Sequence, residues 1–462
     1  MRRRLWLLLC ALGVLGMAAC GAGEGKANAA AKSKVVKSSA AAATGEESKA
    51  EEKESESSAA KTAATEPAAP ASTAESTAET AEATLSIIQT GDYLCFQSSL
   101  YTYGEFQRDM AALQKNAGAA LRVDEIGQTV DGNKLYDFRV GNPAAERHLL
   151  VFGGIHAREY ITAQLVMRQL VQLLSDQSTN GSYENIAVRE LLSNTEIHFI
   201  PMANPDGVEI SQRALNGLTK DSSKQSVRRI IESWSDWGLL ENQDKYNWYL
   251  NKWKNNVNGV DLNHNFPTPG WAQLNDNRGK ASSEFYKGPS AASEPETQAI
   301  IKLVNEQKFS QVLNYHAQGQ IIYWSQMHAA KEVLEKDKAM GLIAARRTGY
   351  ALVDPSADGS RYGAGFKDWL DWEKGIPNIT LEVGLGVSPV PENQIEKIWQ
   401  QNKGLLPELV NYLLGRSGES ISSGNAKSES KANGAAKDDG VRYVSPKGSG
   451  DVNESLTPPG AE

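Results

Sequence analysis

Cysteine is nearly absent, with only three in 462 residues, at positions 10, 20 and 95. Cys10 and Cys20 belong to an N-terminal apolar run, so Cys95 is alone in the rest of the chain. A single thiol closes no intramolecular disulfide, and no CxxC pair offers a sulfur site for a metal. Cys95 reads as a buried structural thiol. Basic charge is not in excess either, since 48 Lys and Arg against 56 Asp and Glu leave a formal charge of −8. Without a concentrated basic face to neutralise phosphates, a nucleic-acid partner is disfavoured. From Gly21 to Thr84 there is no aromatic residue, and the stretch is mostly Ala, Ser, Thr, Lys and Glu with very few large apolar side chains. Such a stretch cannot bury enough surface to offset the entropy of ordering, so residues 21–84 read as a flexible tether. Residues 417–462, rich in Ser, Gly, Lys and Asp with an isolated Tyr443, read as a second solvated spacer.

What is present lies between these ends. Residues 85–416 are rich in Trp, Tyr, Leu, Ile and Val. Length alone would suggest two or three domains, but this composition gives one large α/β core. Residues 1–20 form a secretory signal: Arg2, Arg3 and Arg4, an apolar run from Leu5 to Val14, then Ala18-Ala19-Cys20. The run is short for a membrane span. Its small-small-Cys ending resembles a bacterial lipobox, with Met17 where Leu is commoner. The resemblance implies lipidation at Cys20, membrane attachment through that residue alone, and an extracytoplasmic location.

Periodicity places a helix from Tyr101 to Asn116, with Phe106, Met110 and Leu113 at helical spacing. Arg122–Thr129 and Lys134–Val140 read as strands joined through Asp131-Gly132-Asn133. Leu149–Phe152 is a continuous apolar run of the buried parallel type. Gly153-Gly154 and a helix with Ile161, Leu165, Val166, Leu170 and Leu174 on one side follow it. Glu196–Met202 reads as a strand closed by a turn at Asn204-Pro205-Asp206-Gly207. Later strands are expected at 310–314, 321–324 and 379–383, and helices at 295–306, 331–348 and 393–414. This alternation predicts a mixed, largely parallel sheet flanked by helices. A ligand site is then expected beyond the C-terminal ends of the strands.

Polar residues of the right chemistry fall at those ends. His156-Ala157-Arg158-Glu159 follows the buried strand and its two glycines. A spacing of three lets imidazole and carboxylate converge on one ion, and His316 at the end of a second strand is placed to supply a third donor. An isolated HxxE has little specificity. The combination of strand, Gly-Gly, HxxE, apolar helix, strand-end His316 and strand-end Glu382 has much more. His148, His198 and His328 sit in less suggestive settings and are assigned to structure or surface.

The segments GGIHAREYIT (153–162), NPDGVE (204–209), NGVDLNHNFP (258–267), LNYHAQGQ (313–320) and ITLEVG (379–384) resemble the zinc carboxypeptidases of the carboxypeptidase A type. The likeness extends over about Tyr101 to Leu414. It implies one zinc ion held by His156, Glu159 and His316, with Asp261 fixing the tautomer of a ligand histidine. It also implies Glu382 as the general base that takes a proton from water and returns it to the leaving amine.

Two departures bear on substrate. The family usually supplies an arginine after a tryptophan to stabilise the oxyanion; here Trp253-Lys254 makes Lys254 the candidate cation, without the bidentate fork. Where ordinary carboxypeptidases have Asn-Arg to clamp the terminal carboxylate, this chain has Asn263-His264. Lys367, in GFKDW, falls at the side-chain selectivity position, where it would suit an acidic group. Tyr362 is expected to correspond to the substrate-capping tyrosine. Together GVDLNHNFP, GFKDW and GLGVSPVP resemble the bacterial peptidases that cleave γ-D-glutamyl-diaminopimelate bonds of peptidoglycan stem peptides. A monomeric, wall-reaching zinc peptidase is the expectation. The competing readings are a general metallocarboxypeptidase trimming C-terminal residues and a non-catalytic wall-binding lipoprotein. The tryptophans between Trp234 and Trp271 are assigned to packing within an insertion.

Overall fold

A computed structural model describes residues 85–183, 185–234, 242–274, 279–354, 363–416 and 440–445. Cys10, Cys20 and Tyr362 lie outside the described residues. The chain opens with α1 (Tyr103–Ala117), whose Thr102 and Glu105 form a reciprocal capping box. The strands β1 (Leu121–Gln128) and β2 (Lys134–Gly141) follow as an antiparallel pair. After β3 (His148–Phe152) comes α2 (Tyr160–Thr179), a short ribbon β4 (Ser182–Tyr183) and β5 (Ile186–Ala187), and α3 (Val188–Asn194). Then follow β6 (Glu196–Ile200), α4 (Pro205–Arg213), α5 (Asp221–Ser233) and α6 (Gln243–Asn251). The second half contains α7 (Pro295–Glu306), β7 (Phe309–His316), β8 (Ile321–Tyr323), α8 (Lys331–Thr348) and β9 (Ala351–Val353). It closes with α9 (Phe366–Trp369), β10 (Asn378–Glu382), α10 (Ile395–Asn402), α11 (Leu405–Leu413) and β11 (Tyr443–Val444).

Among the described residues, nine strands form one sheet in the order β1-β2-β6-β3-β7-β10-β8-β9-β11. At its centre β6, β3, β7 and β10 run parallel. Their side chains alternate between two cores, as a sheet covered on both faces requires. Leu149, Val151, Leu313, Tyr315, Ile379 and Leu381 pack against α2, α8, α10 and α11 on one side. Leu150, Phe152, Ile200 and Val312 meet α7 and the α9 residues Phe366 and Trp369 on the other. A third cluster gathers α4, α5 and α6 around Trp253, which is wholly buried. Trp253 therefore packs, as expected of this insertion. Among the described residues, no helix is long and apolar enough to cross a membrane.

Cys95 is a free, buried cysteine, and burial pushes its thiol well above the ordinary value. It lies in a segment pinned by one carboxylate. Asp109 accepts from the Leu94 and Cys95 amides at 2.7 and 2.8 Å and from the Tyr101 hydroxyl at 2.8 Å.

Three expectations need amendment. Asn204-Pro205-Asp206-Gly207 is the start of α4, because Asn204 Oδ1 accepts from the Gly207 amide at 3.0 Å and Pro205 occupies the first helical turn. The closing helix breaks into α10 and α11 at Gly404, where any side chain would run into the Tyr183 ring. The tail is not solvated throughout: Tyr443–Val444 pairs parallel with β9, and the Arg442 and Val444 carbonyls accept from Leu352 and Asp354 at 2.9 Å. The edge of β9 gains hydrogen bonds that tail composition does not reveal.

Glu296 in α7 is fully buried, and burial together with nearby Asp206 pushes its carboxyl up to about 8. Between its ordinary value of 4.5 and 8, the folded chain keeps a proton that the unfolded chain has released. Stability should therefore fall as pH rises through that window. Glu296→Gln is expected to flatten the dependence and to stabilise the protein at pH 8, read from denaturant midpoints at pH 5 and 8. A wild-type midpoint constant across that range would refute it.

Candidate active site

The parallel strands end together. Phe152 is in register with both Ile200 and Asn314, and His316 is in register with Glu382. His156 follows the end of β3 after Gly153 and Gly154. Gly154 has φ +65°, and a Cβ there would approach Met202 Cα and the Pro201 carbonyl at 3.0 Å, so the tight turn requires glycine. The turn is locked by Thr162, whose hydroxyl accepts from the Gly154 amide at 2.9 Å and donates to the Glu159 carbonyl at 2.8 Å. Asn204 Nδ2 donates to the carbonyls of Ile155 and Asn255 at 3.1 and 3.2 Å, tying the start of α4 to the same turn.

His156, Glu159 and His316 converge as buried neighbours. His156 Nδ1 lies 2.8 Å from Glu159 Oε1, and His316 Nδ1 lies 3.1 Å from both Glu159 Oε2 and His156 Nδ1. Their ligating atoms all fall within 4.8 Å of one another. The Ala317 amide donates to Glu159 Oε2 at 3.1 Å, which orients the carboxylate. Burial opposes charge on Glu159, yet His156 and His316 lower its pKa and keep it ionised. Burial pushes His316 down toward the neutral imidazole that binds metals. Two imidazoles and a carboxylate with converging donor atoms fit zinc.

Asp261 lies behind this set. His156 Nε2 is 3.2 Å from Asp261 Oδ1, and because a carboxylate only accepts, that nitrogen carries the hydrogen and Nδ1 is left to bind metal. Lys254 Nζ is 3.1 Å from Asp261 Oδ2 and 4.4 Å from the centre of the Phe285 ring. Both charged side chains are wholly buried. Burial would raise the Asp261 carboxyl, but Lys254, His264 and His156 hold it well below the usual range. Asp261→Asn is expected to weaken zinc binding by about 10–100-fold, measured by competition with a chromophoric chelator. An unchanged affinity would contradict this orienting role.

The structure brings most of the sequence candidates to one place. Lys254, Asp261 and His264 form a single cluster, with His264 Nδ1 4.0 Å from Asp261 Oδ2 and 3.4 Å from the Phe285 carbonyl. The His264 ring is 6 % exposed and stacks on Phe285. Asn263 Oδ1 accepts from the Phe366 amide at 2.9 Å and so anchors the first turn of α9. Lys367 is one residue further along α9. Its ammonium is 3.1 Å from Asp368, 3.5 Å from Asp371 and 2.9 Å from the Ser325 carbonyl. The two carboxylates and the Ser325 carbonyl hold the ammonium in place beside the turn that Asn263 anchors. Phe285, at φ 63°, escapes sequence reasoning because no motif surrounds it. Arg158, within the HxxE, escapes it too; it donates to Glu284 at 3.1 Å and to the Lys252 carbonyl at 3.2 Å.

The family model for zinc carboxypeptidases (peptidase family M14) matches residues 106–404. Among curated proteins, the chain is 28% identical over 309 residues to gamma-D-glutamyl-L-diamino acid endopeptidase 1 of Lysinibacillus sphaericus, covering 66% of this chain and 71% of that one. It is 25% identical over 354 residues to the carboxypeptidase N catalytic chain of Homo sapiens, covering 67% and 68%. Among solved structures, bovine thrombin-activatable fibrinolysis inhibitor in complex with tick carboxypeptidase inhibitor aligns with a TM-score of 0.52 at 17% identity. That alignment covers 69% of this chain and 98% of the other, and is a likeness of fold. The chain belongs to the zinc carboxypeptidase family and is a zinc metallopeptidase that uses one catalytic zinc ion.

Proposed function

We propose that this chain hydrolyses γ-D-glutamyl–diamino acid bonds in peptidoglycan stem peptides, with Glu382 as general base. The observation that carries the reading is Asn263-His264. Where the family resemblance calls for an arginine clamp on a terminal carboxylate, this chain has a buried imidazole stacked on Phe285. That ring has no permanent two-pronged grip, so simple trimming of C-terminal residues is poorly served. The relative from Lysinibacillus sphaericus, named for cleavage of such a bond, supports the same substrate class.

Zinc bound by His156, Glu159 and His316 supplies Lewis acidity toward the scissile carbonyl and toward water. Glu382 ends β10 opposite His316. Neighbouring strands are about 5 Å apart, and residues in register share a face of the sheet, which supports Glu382 as the group that meets a water at the ligand set. It takes the proton of that water and returns it to the leaving amine. Lys254 contributes a buried positive charge toward the negative charge that develops on the carbonyl oxygen. Asn263 offers its amide NH2 to a substrate carboxylate. The signal-like residues 1–20 support a reading of export and anchoring through Cys20.

The test is a digest of purified muropeptides by the full-length protein, with and without a zinc chelator, read by mass spectrometry. Chelator-sensitive release of a fragment containing the diamino acid is expected. Turnover of plain C-terminal dipeptides instead would favour a general carboxypeptidase. No turnover of either substrate by a zinc-loaded protein would favour the wall-binding reading.

A further inference from the structure

A second His-Glu-His constellation lies at the opposite end of the strands that lead to the active site. His148 opens β3 and Glu196 opens β6, the two being in register, while His198 is two residues further along β6. His198 is wholly buried, Glu196 is 4 % exposed and His148 is 14 % exposed. His148 Nδ1 lies 3.2 Å from His198 Nε2 and 3.3 Å from Glu196 Oε2, and His198 Nε2 lies 3.7 Å from Glu196 Oε2. Three tetrahedral donors at about 2.0–2.1 Å from one zinc-sized ion stand about 3.4 Å apart. The observed edges bracket that figure.

The outer contacts set the tautomers. His148 Nε2 is 3.0 Å from the Ala145 carbonyl, which only accepts, so that nitrogen carries hydrogen and Nδ1 presents a lone pair in the neutral ring. His198 Nδ1 is 2.8 Å from Asp137 Oδ2, so by the same logic Nε2 presents a lone pair. Two neutral rings would point lone pairs at each other; without a metal, and against its burial, Asp137 and Glu196 raise the His198 pKa, so an ion would take the place of a proton held between the rings. An imidazole held by a carbonyl or carboxylate on its far side is the usual arrangement behind a metal ligand. Glu196 Oε1 is taken by Arg122, which leaves Oε2 facing the histidines.

We propose that His148, Glu196 and His198 bind a divalent transition metal of the zinc type, distinct from the catalytic ion, which fastens the N-terminal ends of β3 and β6. His148, at the edge of the cluster, leaves the fourth position to water. The role is structural: the site has two strands to hold and no part in the peptidase machinery.

The test titrates metal-free full-length protein with Zn2+ and counts bound metal by native mass spectrometry, alongside anomalous diffraction at the zinc edge from crystals of the loaded wild type. Two equivalents are expected in wild type and one in His148→Gln, with peptidase activity of the variant unchanged. The second anomalous peak should lie among His148 Nδ1, His198 Nε2 and Glu196 Oε2. A wild type that saturates at one equivalent, with no peak there, would mean that the rings share a proton, and would overturn the proposal. So would a second equivalent that survives in both His148→Gln and Glu196→Gln. If a variant misfolds, the wild-type anomalous map still decides.

Discussion

Glu382→Gln is expected to lower turnover about a thousandfold, within the range that general acid–base catalysis contributes, while zinc content stays at the wild-type level. The expectation rests on position. Glu382 ends β10, alternating with Leu381 and Val383, which are buried in a hydrophobic core on the other face of the strand. Its backbone carbonyl accepts from the Gln320 amide at 2.7 Å, and the Val383 amide donates to the His316 carbonyl at 2.8 Å. The strand end is thus fixed against the strand that carries a zinc ligand. Glutamine preserves volume and hydrogen bonding but accepts no proton, so folding and metal binding should be spared. Steady-state rates on a γ-D-glutamyl stem peptide, with metal analysis on the same preparation, read the two quantities separately. Activity within tenfold of wild type would remove Glu382 from the mechanism. Lost zinc would make it a structural residue instead.

The parts of this site that were legible in the sequence are those written in contiguous chain. Leu149–Phe152 faces a core on each side, so it had to be a continuous apolar run, and the Gly153-Gly154 pair at its end had to turn sharply. His156 and Glu159 share that turn, and the strand-end positions of His316 and Glu382 follow from the same logic. The material behind the ligands was less legible. Phe285 reaches Lys254 and His264 from an irregular segment with no periodic pattern. The pairing of Lys367 with Asp368 and Asp371 depends on the first turn of α9 and its continuation, where an exposed-looking lysine is folded back on its own segment. The break between α10 and α11 falls at Gly404 with Pro407 in the next turn, both poor helix formers, while the close packing of Tyr183 against Gly404 comes from far away in sequence. Sequence periodicity reports which faces are apolar; it does not report which polar groups meet across loops.

Lys254→Met should produce the second large effect, on stability and catalysis together. Lys254 and Asp261 are wholly buried and 3.1 Å apart, and Asp261 also accepts from His156 and from the Asn263 amide at 3.0 Å. Methionine has similar bulk but leaves Asp261 with less compensation in a buried site. Breaking a buried pair from one side costs about 3–5 kcal/mol, because the remaining charge stays desolvated. Chemical denaturation of zinc-loaded protein should show that loss. Turnover should fall by a further factor of about 10²–10³ if the ammonium also stabilises charge on the carbonyl oxygen. Lys254→Arg separates the two contributions. It keeps the charge beside Asp261 and should recover much of the stability, whereas its wider fork against the Phe285 face should restore turnover only in part. Full activity in the methionine variant, after correction for the folded fraction, would confine Lys254 to a structural role. Loss of turnover in both variants with stability recovered only by arginine would instead tie catalysis to the placement of the charge rather than to its presence.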